Sequence, residues 1–158
     1  MSAQGTPVIP AAPAELSIRR QVLTVLERVF AAAAPQEGCA LLLGLREPES
    51  WRLTTVWPCS NVWQPAEERC HRFSIDPREQ LHAQKWARRR DLLVLGSAHS
   101  HPQGPPVPSA TDRALAFAPA LMLILGQGEG GQELGCWWLG EAAAGPPPSR
   151  PLAWRMVD

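Results

Sequence analysis

Apolar positions recur early in the chain at helical spacing. Val22, Leu23, Val25, Leu26, Val29 and Phe30 would fall on one side of a helix with 3.6 residues per turn. A helix is therefore expected to start near Leu16 with Ser17 as its cap, and to end in the alanine run before Pro35. Residues 39–43 form an unbroken apolar run closed by Gly44. That pattern predicts a buried strand, although periodicity alone leaves a helix open. Weak alternation with β-branched residues at 52–57 predicts a second strand, stopped by Pro58. Residues 59–69 read as a loop and 72–75 as a brief strand. Asp76 followed by Pro77 and Glu79 is a helix start, and the helix it opens ends on Arg88, Arg89 and Arg90, favourable for the helix dipole. Further strands are expected at 92–98, 121–125, 134–139 and 152–157. A Pro/Gly loop at 102–108 precedes a short helix from Ser109 to about Phe117. A turn at 127–131 and a proline-rich turn at 145–151 separate the last three strands. The order α, β, β, β, α, β, α, β, β, β predicts a mixed α/β domain, a sheet flanked by helices. No internal repeat is visible. Residues 1–13, rich in Pro and Ala, are expected to be a flexible N-terminal segment, leaving 14–158 as the domain.

Composition narrows the function classes. A length of 158 residues suits one hydrophobic core. Fifteen basic and fifteen acidic residues cancel, so no nucleic-acid partner is expected. No run approaches the ~18 apolar residues a membrane span needs. The first residues lack the basic and apolar regions of a secretory signal, which makes a cytoplasmic address the expectation. The four cysteines, Cys39, Cys59, Cys70 and Cys136, form no C-x-x-C pair and are expected to be free thiols.

One segment carries chemistry. His99 and His101 stand two residues apart at the end of an apolar strand, so their side chains point to the same side. Asp112 follows eleven residues after His101, one turn into the next helix, and the proline-laden loop between is stiff. Two histidines and one carboxylate, with a fourth position left to water, make a catalytic zinc pattern. A structural site would need a fourth protein ligand, and no cysteine lies nearby. Ser109 and Asp112 by themselves could be a helix cap with an acidic N3 residue. Each histidine alone would be an ordinary polar residue. Together, H-x-H-x7-S-x2-D arises by chance about once in ten thousand such chains.

This pattern, with Pro102 after the second histidine, resembles the JAMM (MPN-plus) metalloproteases. The segment from Pro35 through Glu37 and Gly38 to Leu43 and Gly44 is similar to the family's stretch of an acid before an apolar strand, with Cys39-Ala40 where its inner glycine more often stands. The stretch Arg72-Phe73-Ser74-Ile75-Asp76-Pro77 is also similar, and the short chain resembles stand-alone prokaryotic members. The resemblance implies an MPN (cytidine-deaminase-like) fold. It implies that His99, His101 and Asp112 hold one Zn2+ per chain, that Glu37 acts as general base, and that Ser109 helps stabilise an oxyanion. Without it, Glu37 would read as a surface acid before a strand. It further implies a metallopeptidase or isopeptidase acting at the C-terminal tail of a ubiquitin-like or sulfur-carrier (β-grasp) protein, with the tail added beside a sheet edge. Two alternatives are a non-catalytic MPN scaffold, which the complete motif disfavours, and a zinc hydrolase of a small amide conjugate.

The remaining candidates read more plainly. Cys70-His71 is expected to lead into a strand, His82 to sit on a solvated helix face, and Ser100 to point away from the metal as a structural residue. Trp63 could line a substrate groove or cover the core edge. Trp137 and Trp138 point to opposite faces of a strand, so at least one belongs to the core.

Overall fold

Strand β2 (Cys39–Arg46) is apolar along nearly its whole length because it lies inside a sheet covered on both faces. The computed structural model describes residues 10–141 and 145–158. Its elements run β1 (Glu15–Arg19), α1 (Arg20–Ala33), β2, β3 (Ser50–Cys59), α2 (Pro77–Arg88), β4 (Leu93–Ser100), α3 (Ala110–Leu115), β5 (Ala120–Gly128), β6 (Gly131–Leu139), β7 (Ser149–Pro151) and β8 (Ala153–Val157), with a 3-10 turn at Ala66–Glu68. The eight strands form one sheet in the order β7-β6-β5-β4-β2-β3-β1-β8. The mixed α/β expectation holds. The expected N-terminal segment 1–13 falls mostly outside the described residues.

Alternation along the strands divides the core. Ala40, Leu42, Ala98, Leu121 and Leu123 pack with Val22, Leu26 and Phe30 of α1. Each of the Leu, Val and Phe side chains contributes about 1.5–3 kcal/mol by leaving water. A smaller cluster on the opposite side joins Met122, Ile124 and Leu139, with Ala116, Ala118 and Trp137 against it. Helix α2 buries Ala83 and Ala87, and its Trp86 meets Trp57 of β3 edge-on with ring centroids 5.9 Å apart. The sheet curls over the α1 side. Trp51 of β3 and Trp138 of β6, four strands apart in the order, meet edge-on at 5.5 Å. The segment between β7 and β8 crosses the same space, with the Leu152 N–H donating to the Cys136 carbonyl at 2.9 Å.

Four sequence expectations change. Residues 15–19 are a strand, so Ser17 is a buried strand residue and α1 starts only at Arg20. Parallel pairing to β3 and β8, both distant in sequence, overrides the local helical pattern there. Residues 72–75 make no strand; they belong to the loop that leads into α2. Strand β3 continues through Pro58 to Cys59, and β7 adds a short edge strand within the expected proline-rich turn. The start of α2 is as read: Asp76 accepts the Arg78 N–H as N-cap, with Pro77 at the first position. Among the described residues no helix is long and apolar enough to cross a membrane.

Candidate metal centre

Strand β4 is an interior strand, paired antiparallel to β2 and parallel to β5. His99 lies opposite Cys39 on one side and Ile124 on the other, so its ring emerges from the middle of the sheet and is fully buried. His101 continues this line just past the strand, its N–H donating to the Leu125 carbonyl at 2.9 Å. Its Nδ1 lies 2.7 Å from the Pro105 carbonyl. That contact places the proton on Nδ1 and leaves the Nε2 lone pair free, the arrangement a metal-ligating histidine needs.

The loop 102–108 returns the chain over the sheet, and two glycines make room for it. A Cβ at Gly126 would stand 2.7 Å from the Gly104 carbonyl oxygen, and one at Gly135 only 2.1 Å from that of Pro106. Trp137 Nε1 donates to the same Pro106 oxygen at 2.8 Å. So docked, the loop opens α3 with a capping box. Ser109 Oγ accepts the Asp112 N–H at 3.0 Å, while Asp112 Oδ2 accepts the Ser109 N–H at 2.9 Å. The cap reading of this pair is therefore seen directly, and the same box aims Asp112 at the histidines.

Asp112 Oδ2 stands 3.0 Å from His99 Nε2 and 3.2 Å from His101 Nε2, and the two ring nitrogens are 3.1 Å apart. Three donor atoms at mutual distances near 3.1 Å are three corners of a tetrahedron whose centre lies about 1.9 Å from each, close to the ~2.0–2.1 Å of zinc–nitrogen and zinc–oxygen bonds. Glu37 joins this group, the four ligand atoms all lying within 4.8 Å of one another. Its Oε1 is buried and has no hydrogen-bond partner. An orphaned buried carboxylate oxygen beside three converging donors fits a cation with its water. The donor set of two imidazoles and a carboxylate suits a divalent transition-metal ion.

The charges fit the same picture. Burial pushes Glu37 up to about 8, with Asp112 adding to the rise and His101 opposing it. Burial also opposes the ionised form of Asp112, but hydrogen bonds from His101 and His99 outweigh it and hold the carboxyl well below the usual range. Burial lowers His99, partly offset by Asp112. For His101 burial also acts downward, and the bonds to Asp112 and Pro105 together overcome it and raise the group.

Glu37 precedes β2 and is held by neighbours on two sides. Ser100 points away from His99 and His101, as expected. Its Oγ accepts the buried Gly38 N–H at 2.8 Å, and its own N–H donates to the Gly38 carbonyl at 3.1 Å. Ser100 thus ties the acid's segment to the strand of the histidines. On the other side, the loop 60–76 reaches Glu37 through the Arg69 carbonyl, which accepts the Glu37 N–H at 2.8 Å. Phe73 of this loop stacks on the His99 ring with centroids 4.3 Å apart and planes 22° from parallel. No periodic signal in the sequence marked Phe73 or the two glycines of the sheet; only contacts between distant segments reveal them.

A cleft of about 570 Å³ opens onto the group, lined by Pro35, Glu37, His101, Gln103 and Ser109 with Cys70 and His71 on its far wall. Cys70 and His71 therefore face the cleft and lead into no strand. Trp63 does not line it. Its ring lies under the Arg72 guanidinium at 5.4 Å and its N–H donates to Glu68 at 3.4 Å, bracing the loop. His82 is exposed on α2, Trp138 is buried and Trp137 half-buried. All four cysteines are free.

Comparison with known proteins gives a family and several relatives. Residues 20–140 match the family of prokaryotic homologs of the JAB domain. A protein of Haloferax volcanii named desampylase is 32% identical over 107 residues, covering 68% of this chain and 73% of that protein. A Thermus thermophilus protein named as a probable TtuB-protein conjugate cleaving protease is 39% identical over 79 residues, 50% of this chain and 48% of its own length. The solution structure of a Desulfitobacterium hafniense protein superposes with a TM-score of 0.74 at 28% identity, covering 90% of this chain and 94% of that one. A Salinibacter ruber protein superposes with a TM-score of 0.55 at 27% identity, covering 84% and 88%.

Proposed function

The chain belongs to the family of prokaryotic JAB-domain proteins, and on that premise we propose that it is a zinc-dependent hydrolase of the JAMM type. Its substrate is the amide bond at the C-terminal tail of a ubiquitin-like or sulfur-carrier protein, in peptide or isopeptide linkage. The observation that carries this reading is the convergence of His99 Nε2, His101 Nε2 and Asp112 Oδ2 at 3.0–3.2 Å, with the buried Glu37 carboxylate beside them. The names of the Haloferax and Thermus relatives support the choice of a protein conjugate as substrate. Residues 14–158 form the hydrolase domain, and a cytoplasmic address suits four free cysteines.

His99, His101 and Asp112 hold the ion, one per chain. When bound, zinc would supply Lewis acidity that acidifies water and polarises a carbonyl, and a cation beside Glu37 would favour its ionised form. Glu37 takes the proton of the attacking water on its unpartnered Oε1 and returns it to the leaving nitrogen. Its burial keeps competing solvent from that oxygen. Ser109 Oγ already accepts the Asp112 N–H, so its own O–H is left to donate. It lines the cleft with Glu37 and His101, where such a donor to an oxyanion is worth roughly 2.7–4 kcal/mol. The tail does not add to a free strand beside the metal, since β4 is paired on both sides. It lies instead between the walls at residues 70–71 and 102–104.

The test is metal analysis of the purified protein with cleavage of a tailed β-grasp conjugate. His99→Ala and Asp112→Ala lose zinc, whereas Glu37→Gln keeps it and loses turnover. Full zinc occupancy in His99→Ala contradicts the ligand set. Cleavage of small amides with no action on the protein conjugate contradicts the substrate class.

A further inference from the structure

Glu37 stands two residues before β2, outside the reach of the sheet's hydrogen bonds, yet a general base needs its carboxylate held to a fraction of an ångström. What holds its backbone is the loop after β3, and one side chain organises that loop. Asn61 Nδ2 donates to the Glu37 carbonyl at 3.0 Å and to the Arg72 carbonyl at 2.9 Å, with the Arg69 carbonyl at 3.5 Å. Its Oδ1 accepts the N–H of Trp63 at 3.1 Å and of Ser74 at 3.2 Å. A carboxamide has two donor hydrogens and two acceptor lone pairs, and all are engaged. The carbonyl and N–H of Glu37 are thus both tied to the loop, the first through Asn61 and the second through Arg69. The two ends of the loop are joined by the same side chain, with a further bond from the Val62 N–H to the Ser74 carbonyl at 2.9 Å. Phe73, between the Asn61 partners Arg72 and Ser74, is the residue stacked on His99.

We propose that Asn61 is a positioning residue for Glu37: its carboxamide locks the Glu37 backbone to the loop that presses Phe73 on His99, and so sets where the carboxylate sits relative to His99, His101 and Asp112. The inference rests on the reading of Glu37 as the base. Asn61 touches none of the three metal-binding side chains, and β4 pairing holds His99 while the Ser109 capping box holds Asp112, so its loss moves the proton-handling group and leaves the donor set in place. Aspartate is the informative replacement. It preserves shape and can still accept from Trp63 and Ser74, but it has no hydrogen for the Glu37 and Arg72 carbonyls and sets a negative charge against both oxygens.

The experiment compares wild type with Asn61→Asp as zinc-loaded proteins, measuring zinc stoichiometry, the amide hydrogen exchange of Glu37, and kcat and KM on a tailed β-grasp conjugate. Expected are unchanged zinc stoichiometry, clearly faster exchange at the Glu37 amide, and a kcat lower by roughly 10–100-fold with KM within about threefold. A folded, zinc-loaded variant with kcat within about twofold of wild type overturns the proposal. So does unchanged protection of the Glu37 amide, and so does a loss confined to KM, which would make Asn61 a support of the cleft wall only. If wild type cleaves no conjugate, the substrate class fails, and the exchange data still decide whether Asn61 holds Glu37. Should Asn61→Asp not fold, Asn61→Ser, too short to reach the Glu37 carbonyl, is held to the same outcomes.

Discussion

Gly135→Ala isolates the contact by which the sheet positions the metal-binding loop. A Cβ at this position would stand 2.1 Å from the Pro106 carbonyl oxygen, whereas real Cβ atoms keep at least 3.0 Å from such a neighbour. The obstacle is backbone, in a loop with prolines at 102, 105, 106 and 108, so it cannot rotate aside as a side chain would. The loop must withdraw by close to an ångström. That shift acts first on the adjacent Pro105 carbonyl, which orients His101 at 2.7 Å, and on the Trp137 bond to Pro106. It then reaches Ser109 and Asp112. Metal bonds tolerate displacements of only about 0.2 Å, and loss of an orienting partner commonly costs about 10–100-fold in affinity. Overpacking of this kind also costs about 1–3 kcal/mol of stability. Gly130→Ala, in the same β5–β6 hairpin, is the control, because a Cβ there meets nothing within 4 Å. Zinc affinity by chelator competition, together with urea unfolding of the metal-free proteins, compares the two. The reasoning predicts weaker zinc binding by at least about tenfold in Gly135→Ala and wild-type affinity in Gly130→Ala. Equal affinity of both variants with wild type would refute the claim that loop docking on Gly135 sets the ligand geometry.

Ser100→Ala leaves the buried Gly38 N–H without its acceptor, so the metal-free protein should lose about 1–3 kcal/mol, read as a Tm lower by roughly 2–12 °C for a chain of this size; an unchanged Tm would show that Gly38 finds another partner. In metal-free protein the Glu37 proton is held up to about 8 in the folded state but leaves near 4.5 in the unfolded state. The folded state then binds the extra proton between these values, so this group's contribution is complete below pH 4.5 and is lost as pH rises toward 8. The stability difference between wild type and Glu37→Gln should therefore shift against wild type across that window, and a flat difference in chelator-treated samples would contradict it. Burial pushes the thiols of Cys39 and Cys136 up to about 12, so both should resist iodoacetamide at pH 8 in native protein and react on unfolding, as peptide mass mapping would read.

Much of the site was legible in one dimension because its chemistry is local. His99 and His101 share a strand end, so their two-residue spacing already states that they point together. Ser109 and Asp112 share a helix start, and the capping pattern already states how they face each other. Ser100, between the histidines, had to point the other way. The acid at Glu37 was different. It lies 62 residues from His99, nothing in its own segment distinguishes it from a surface carboxylate, and only likeness to a family singled it out. Its burial, its orphaned oxygen and its raised affinity for a proton arise from groups brought up by β4, α3 and the loop after β3.

Local pattern therefore determined which residue types stand ready at each strand end and helix start: two imidazoles, a capped aspartate, a proline-stiffened loop and the apolar runs of the central strands. Tertiary structure decided what they amount to together. Strand β1 formed where local periodicity favoured helix, because its partners β3 and β8 come from distant parts of the chain. Gly126 and Gly135 matter only because the loop lands on them, and Phe73 only because its loop folds onto His99. The physical reason is common to all of these. Spacing along a strand or helix fixes direction over a few residues, but the approach of distant segments depends on which surfaces pack, and packing is a property of the whole fold.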